Sequence, residues 1–374
     1  MRFDLTRRQL LAAGTAALVQ PAWAAGDDIV VGQIGPFTGM PAHDAPELNQ
    51  GIKAAFAQIN AAGGVNGRRL SLFELDDGYK DDGFVRQFAE ALKRRPVALL
   101  APVGTRSIQR LLDDRLLDQA DTVVLNAVPG ADALRNPGHA KLLHIRAGDR
   151  QQVTRIVRHA VTLGIRHLTV VYQDVPIGQS GLAAATQVAA EVGVKLTAVK
   201  AGSEPEPLTD GARRAMAADA QSALVLGSPR FAAQAIVALR QAGLVKSVYA
   251  LSYVSPALIQ QFGESAARGV ALAQVYPNPN GSTKALQHAF QAAMKRAGMN
   301  GPHTAFQLEG YVTARVLAEG LRRARDTSPS GLARSLRAMG DVDLGGYHVD
   351  FSRGNVGSGY VDIAVINGDG RLTY

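Results

Sequence analysis

The sequence of 374 residues contains no cysteine, which excludes disulfides, thiol catalysis and cysteine-ligated metals. Tryptophan occurs once, and aromatic residues make up only 6% of the chain. Beyond residue 24, no apolar run reaches the ~20 residues that a membrane-spanning helix needs, so we expect the rest of the chain to be soluble. Stability must come from an apolar core, and a chain of this length predicts two lobes.

Basic residues outnumber acidic residues, and the net charge is +8. They form no continuous stripe and are not interleaved with aromatic side chains. The basic pairs are scattered along the whole chain: Arg68-Arg69, Arg94-Arg95, Arg213-Arg214 and Arg322-Arg323. This distribution is typical of a solvated surface, and it argues against nucleic acid as a partner.

The first 24 residues predict an export signal that is cleaved. An apolar run from Leu10 to Val19 is preceded by Arg2, Asp4, Arg7 and Arg8. It is followed by Ala22-Trp23-Ala24, which has the pattern of a cleavage site. Removal of these residues leaves a net charge of +6. The stretch Thr6-Arg7-Arg8-Gln9-Leu10-Leu11 resembles the twin-arginine motif, although an ordinary signal with two arginines stays open as the alternative.

From Asp28 onward, short β-rich runs alternate with amphipathic stretches, which predicts βαβ units and parallel sheets. The rhythm stops at Asn136-Pro137-Gly138 and restarts near residue 147. Two long helices are predicted at 283–297 and 304–324, followed by a β-rich tail. The sequence therefore predicts an α/β fold with two lobes.

The same turn motif occurs once in each predicted lobe. "VALLAPVGTR" ends in Gly104-Thr105-Arg106, and "SALVLGSPR" ends in Gly227-Ser228-Pro229-Arg230. Both Thr105 and Ser228 are predicted to cap the helix that follows. Because ligands bind at the carboxyl ends of parallel strands, beside helix N-termini, both turns are expected to face one cleft.

Motifs that would indicate an enzyme are incomplete or missing. Gly178-Gln179-Ser180-Gly181 falls one residue short of a nucleophile elbow, and neither a Walker loop nor a dinucleotide fingerprint is present. The histidines lack metal-binding spacing, and the acidic run 76–82 lacks the order of a calcium loop. We therefore expect no catalytic residue, metal or cofactor. A secreted hydrolase using Ser180 or Ser228 stays open as an alternative.

Four segments, in order, carry a resemblance: "IVVGQIGPFTG", "NQGIKAAFAQINAAGGVNGRRLSLFELDDG", "VGTRS" and "PGADALRNP". Together they resemble the leucine/isoleucine/valine-binding type of periplasmic solute-binding protein, the receptor subunit of an ABC importer. The resemblance implies two Rossmann-like lobes with parallel-sheet cores, joined by three crossover strands, with the ligand cleft between them. Crossovers are expected near Ala147, near Tyr276 and at Tyr347 to Phe351. The expected division is 25–146 plus 277–348, and 147–276 plus 349–374.

The resemblance also implies site residues. In the first lobe, the turn at Thr105 and the turn Gly130-Ala131-Asp132 match those that hold a ligand carboxylate in the family. Tyr79 and Gly104 match positions that form a disulfide in some relatives, so Tyr79 is expected to lie against the Thr105 turn.

In the second lobe, three positions depart from the amino-acid receptors of the family. Ile177 and the turn at Ser228 lack the family's aromatic residues, and Ser252 stands where an acidic residue would bind an ammonium group. The departure at Ser252 argues against a branched-chain amino acid, because a buried ammonium needs a carboxylate or several acceptors. Asp132 and Asp174 are the substitutes that the sequence offers.

Other residues keep two interpretations. Arg106 and Arg230 either bind an anion at the cleft or are solvated at a helix start; an arginine on each side would favour a ligand more negative than a zwitterion. Tyr253 either stacks on the ligand or belongs to the core. His43 and Asp44 are candidates only for the rim of the cleft.

The expected protein is a monomeric periplasmic receptor without a cofactor. It is predicted to bind an amino-acid-like molecule or a small organic anion, to close by a hinge and to deliver the ligand to an inner-membrane ABC permease. A sensory or scavenging binder of the same fold is the alternative.

Overall fold

The computed structural model describes residues 28–39 and 44–374. The predicted signal peptide at 1–24 and the rim candidate His43 lie outside the described residues. Within them, no helix is both long enough and apolar enough to cross a membrane.

The first part of the chain forms a five-stranded parallel sheet with strand order β2-β1-β3-β4-β5. Its strands are β1 (Ile29–Gly35), β2 (Leu70–Asp76), β3 (Ala98–Leu100), β4 (Val123–Leu125) and β5 (Leu142–Leu143). The helices between them are α1 (Asp44–Ala61), α2 (Asp81–Lys93), α3 (Thr105–Asp113) and α4 (Leu116–Gln119). In β3, Ala98 and Leu100 face one apolar core and Leu99 faces another, so both faces of this sheet are covered.

The second sheet has seven strands in the order β14-β13-β10-β9-β8-β6-β7. It is built from β6 (His167–Gln173), β7 (Lys195–Ala201), β8 (Ser222–Leu226), β9 (Val248–Ala250) and β10 (Val270–Gln274), all parallel. The helices of this part are α5 (Asp149–Thr162), α6 (Pro176–Val192), α7 (Pro205–Ala217), α8 (Pro229–Gln241) and α9 (Pro256–Phe262). All five residues of β8 are buried, as expected of a strand packed on both faces.

The chain then returns to the first sheet with α10 (Ala285–Arg296), α11 (Ala305–Arg323), α12 (Pro329–Ala338) and the short antiparallel pair β11 (Val342–Asp343) and β12 (His348–Val349). Helix α11 lies directly against α1, and two glycines permit the close approach. A Cβ on Gly51 would lie 1.9 Å from the Gln307 carbonyl oxygen, and one on Gly310 would lie 2.0 Å from that of Leu48. The late helices therefore belong to the first lobe, the lobe with the five-stranded sheet.

Finally, β13 (Asp362–Ile366) and β14 (Leu372–Thr373) add antiparallel strands to the seven-stranded sheet of the second lobe. The chain thus passes between the two sheets three times: after β5, after β10 and after β12. The passages support one another, since Gly357 N–H donates to the His144 carbonyl at 2.7 Å and the Tyr276 and Tyr347 rings stack 5.1 Å apart. The α/β fold with two lobes and three crossovers is confirmed.

Candidate ligand-binding site

The turn after β3, residues 103–106, ends at the N-terminus of α3. Gly104 has a φ of +109° and occupies the N-cap position, so α3 begins at Thr105. The predicted cap at Thr105 is therefore one residue off, because the turn needs a conformation that glycine adopts at little cost. The first hydrogen bond back to this turn comes from Ile108 N–H, at 3.2 Å from the Gly104 carbonyl oxygen. The backbone N–H groups of Thr105 to Ser107 have no acceptor inside the helix, and they can bind an anion.

The turn after β8, residues 227–230, has the same shape but different chemistry. Ser228 is the N-cap of α8 with Pro229 at the first helical position, as predicted. Its side chain makes no capping hydrogen bond, which leaves the hydroxyl for a ligand. Its N–H donates to Gln173 Oε1 at 2.9 Å, and Pro229 has no N–H. This turn therefore offers fewer free N–H groups than the turn at Thr105.

The two turns face each other across a small cavity, here called the inner chamber, which encloses about 50 Å³. The first lobe contributes Asp44, Tyr79, Val103, Gly104, Thr105, Val128 and Pro129, and the second contributes Ile177, Ser228, Pro229 and Tyr253. Five of the residues expected to bind the ligand line this one cavity: Tyr79, Thr105, Ile177, Ser228 and Tyr253. Tyr79 shares the cavity with Thr105, as expected.

A second cavity, the outer chamber, encloses about 240 Å³ and shares Tyr79, Gly104, Thr105, Ile177 and Ser228 with the inner one. Its described lining also includes Arg106, the one basic residue there. A third cavity, of about 470 Å³, is lined by Thr105, Ala131 and Asp132 together with Ser180. Arg106 and Asp132 therefore border wider spaces than the inner chamber.

The structure places Arg230 elsewhere. Its side chain is exposed, and the guanidinium carbon lies 5.9 Å from the centre of the Phe262 ring. Arg230 lines none of the three cavities described above. The expectation of an arginine on each side of the ligand therefore stays a prediction at Arg230, whose side chain lies over Phe262 of its own lobe.

Asp44, expected only at the rim, lies in the wall of the inner chamber. It opens α1 and is 5% exposed. Burial, helped by the charges of Glu47 and Glu309 and opposed by that of Arg146, raises the pKa of its carboxyl to about 8. The sequence does offer a signal for this residue, since an aspartate immediately before the apolar positions of α1 is a typical helix start.

Ser252 does not line the inner chamber. Its hydroxyl accepts a hydrogen bond from Arg146 Nη2, and its N–H donates to Gln152 Oε1 at 2.9 Å. Arg146, in the first crossover, is fully buried and forms an ion pair with Glu309 of α11 at 3.0 Å. Ser252 is thus part of a polar link between the lobes. Sequence reasoning missed Arg146 and Glu309, which are 163 residues apart.

Tyr253 lines the inner chamber and also contacts buried polar residues outside it. Its hydroxyl donates to Asp149 Oδ1 at 2.7 Å, and the Arg146 guanidinium lies 4.9 Å from its ring centre. Burial raises the pKa of Asp149 to about 6 and raises the pKa of Tyr253. Gly130 is packed against this pair, since a Cβ there would lie 2.1 Å from the tyrosine oxygen. Tyr253 therefore serves both the core and the chamber.

Buried polar atoms below the chamber remain without a partner. Within the described part of the chain, four of them make no hydrogen bond: Arg135 Nη1, Arg146 Nε, Asp149 Oδ2 and Gln152 Nε2. Such atoms mark places where water or polar ligand groups are expected, because an unpaired buried donor or acceptor is costly. The described residues form no cluster of three or more His, Cys, Asp or Glu side chains that could hold a metal ion.

Known proteins share the sequence pattern and the fold of this chain. The family described as periplasmic binding protein matches residues 28–371. The crystal structure of an extracellular ligand-binding receptor from Verminephrobacter eiseniae is 47% identical, with a TM-score of 0.89, and the match covers 93% of this chain and 100% of that one. A Leu/Ile/Val-binding protein homolog 7 from Brucella abortus is 24% identical over 379 residues, 93% of this chain and 91% of the relative. An amino acid binding protein from Pseudomonas aeruginosa is 35% identical over 77 residues, and there the match spans only 21% of the relative.

Proposed function

This chain belongs to the periplasmic binding protein family, and we propose that it is the substrate-binding component of an ABC importer. It binds a small amino-acid-like or organic-acid ligand between its lobes, closes over it by a hinge and delivers it to a membrane permease. The export signal expected at residues 1–24 would bring it to the periplasm, by the twin-arginine route or as an ordinary signal peptide. There it would act as a monomer.

One observation carries this proposal: a single chamber is lined by helix starts from both lobes. A ligand shifts a hinge equilibrium only if it binds the closed form better than the open form. A molecule in the inner chamber contacts Thr105 of one lobe and Ser228 of the other, so closure adds contacts. Ligand binding therefore supplies the free energy that stabilises the closed form over the open form.

The chemistry of the chamber supports a ligand with a carboxylate. The N-terminus of α3 presents free N–H groups and a partial positive charge, and the Thr105 hydroxyl lies beside them. Relatives described as binding amino acids or Leu/Ile/Val support the same class.

The test is a thermal-shift screen of the purified protein with amino acids, amides, aromatic acids and short carboxylates. A ligand at 100 times its Kd stabilises the folded state by about 2.7 kcal/mol, which raises the Tm measurably. Small-angle scattering with the same compound should show a smaller radius of gyration. A screen without any shift, or a shift without compaction, would contradict the proposal.

A further inference from the structure

The inner chamber contains one acidic side chain in its described lining, Asp44. This carboxyl is more than nine-tenths buried, and the one hydrogen bond recorded to it within the described residues comes from its own backbone N–H. A buried carboxylate without a partner is costly, and native proteins rarely leave one without a function. Asp44 therefore faces the ligand space with its capacity to accept hydrogen bonds largely unused.

The charges around Asp44 favour a positive partner. Glu47 of α1 and Glu309 of α11 raise its pKa, and Arg146 from the crossover lowers it. Tyr79, in the turn after β2, lines the same chamber, and the Asp44 charge raises the pKa of its hydroxyl. Arg146 is already engaged, with Glu309 at 3.0 Å and with Ser252. Glu47 accepts a hydrogen bond from the Thr304 hydroxyl at 2.7 Å. Arg146 is thus committed to Glu309 and Ser252, and among the described residues no basic side chain forms an ion pair with the Asp44 carboxyl.

We infer that Asp44 is a specificity-determining residue of this receptor: its carboxylate accepts a protonated amine of the ligand, whose own carboxylate lies on the first turn of α3. This inference rests on the proposed function. The acid expected at Ser252 of the second lobe is then supplied by the first lobe, so one lobe holds both charged ends of the ligand. The second lobe covers it with Ile177, Pro229 and Tyr253.

The inference has a consequence for pH. With its pKa raised to about 8, Asp44 is protonated in the empty chamber at neutral pH. When an ammonium group binds, the carboxyl releases its proton to the buffer and the ligand keeps its own. Affinity for a zwitterion should therefore rise between pH 6 and 8, by up to about tenfold per unit, and level off above the pKa of the empty site. A ligand that needs the protonated carboxyl as a donor would show the opposite slope.

The experiment uses two matched series: L-alanine, propanoate and ethylamine, and L-leucine, 4-methylpentanoate and 3-methylbutylamine. Each compound is titrated by calorimetry into the wild type, Asp44→Asn and Asp210→Asn. Asp210 is the control because it is an exposed carboxylate that pairs with Arg214 on α7 and lines neither chamber. An amide closely resembles the neutral acid in shape, so Asp44→Asn should fold, which circular dichroism checks.

In the wild type and in Asp210→Asn, the zwitterion of at least one series should bind at least ~30-fold more tightly than its deaminated acid, as expected for a buried charge pair. Asp44→Asn should remove this preference. Calorimetry of the wild type in two buffers of different ionisation enthalpy should show proton release near pH 7.

Three results would overturn the inference: a preference that persists in Asp44→Asn, a wild type that binds the deaminated acid as tightly as the zwitterion, or an affinity that falls from pH 6 to 8. The pH titration needs no variant and so stands even if Asp44→Asn fails to fold. Binding of the acids without any amine preference overturns only this inference. Binding of no compound in either series overturns it and also counts against the proposed function.

Discussion

The turns at Thr105 and at Ser228 are alike in sequence and different in what they offer a ligand. Both follow a buried strand and open a helix, but the turn at Thr105 keeps the N–H groups of its first helical residues free. At the second turn, Pro229 has no N–H and the Ser228 N–H is held by Gln173. We therefore expect the repeated motif to bind an anion in the first lobe and to cover the ligand in the second. We expect a ligand to bind first to the lobe that contains Thr105.

The largest expected effect concerns the link between the lobes. Glu309→Gln leaves the Arg146 guanidinium buried without its counter-ion, and should lower the free energy of unfolding by about 3–5 kcal/mol. Ser252→Ala removes one neutral partner of the same guanidinium from the other lobe, and should cost about 1 kcal/mol. Urea denaturation measures both. Equal losses would show that the two lobes hold Arg146 equally.

The second prediction compares the hydroxyls of the two turns. Thr105→Ala should weaken ligand binding by at least about tenfold, because its hydroxyl lies beside the N–H groups that receive the carboxylate. Ser228→Ala should weaken binding by about threefold, since Ser228 belongs to the second lobe, which is expected only to cover the ligand. Calorimetry with the tightest compound of the screen measures the difference. Neither variant should lower the Tm of the empty protein by more than a few degrees. A larger loss of affinity in Ser228→Ala than in Thr105→Ala would reverse the assignment of the two turns.

The smallest effect concerns the two arginines that follow the turns. Arg106 lines the outer chamber, so Arg106→Gln should weaken binding about two- to threefold and reduce its dependence on salt. Arg230→Gln should leave affinity unchanged, because Arg230 lies over Phe262. Titrations at low and high salt separate the two variants. An equal loss from Arg230→Gln would mean that the second turn also attracts an anion.

Much of the fold and part of the site could be predicted from the sequence. Alternating β-rich and amphipathic runs predict the two parallel sheets, and the paired turns predict that Thr105 and Ser228 meet. The residues below the chamber could not be predicted, since no local pattern reports that Arg146 meets Glu309. At Asp44 the sequence predicts a helix start, but that signal does not specify which cavity the side chain borders. At Arg230 the contact with the ligand stays a prediction, because position after a turn does not specify which way a long side chain extends.

The first and last described strands lie in different sheets: β1 in the five-stranded sheet and β14 in the seven-stranded one. A mechanical load applied between handles placed at Ile29 and Thr373 must therefore pass from one lobe to the other, and it acts across the three crossovers and the cleft as well as on the two sheets. Opening of the lobes should appear as a low-force step ahead of unfolding. Because ligand bridges the lobes, the force of that step should rise with ligand concentration, so a single molecule under tension could report binding.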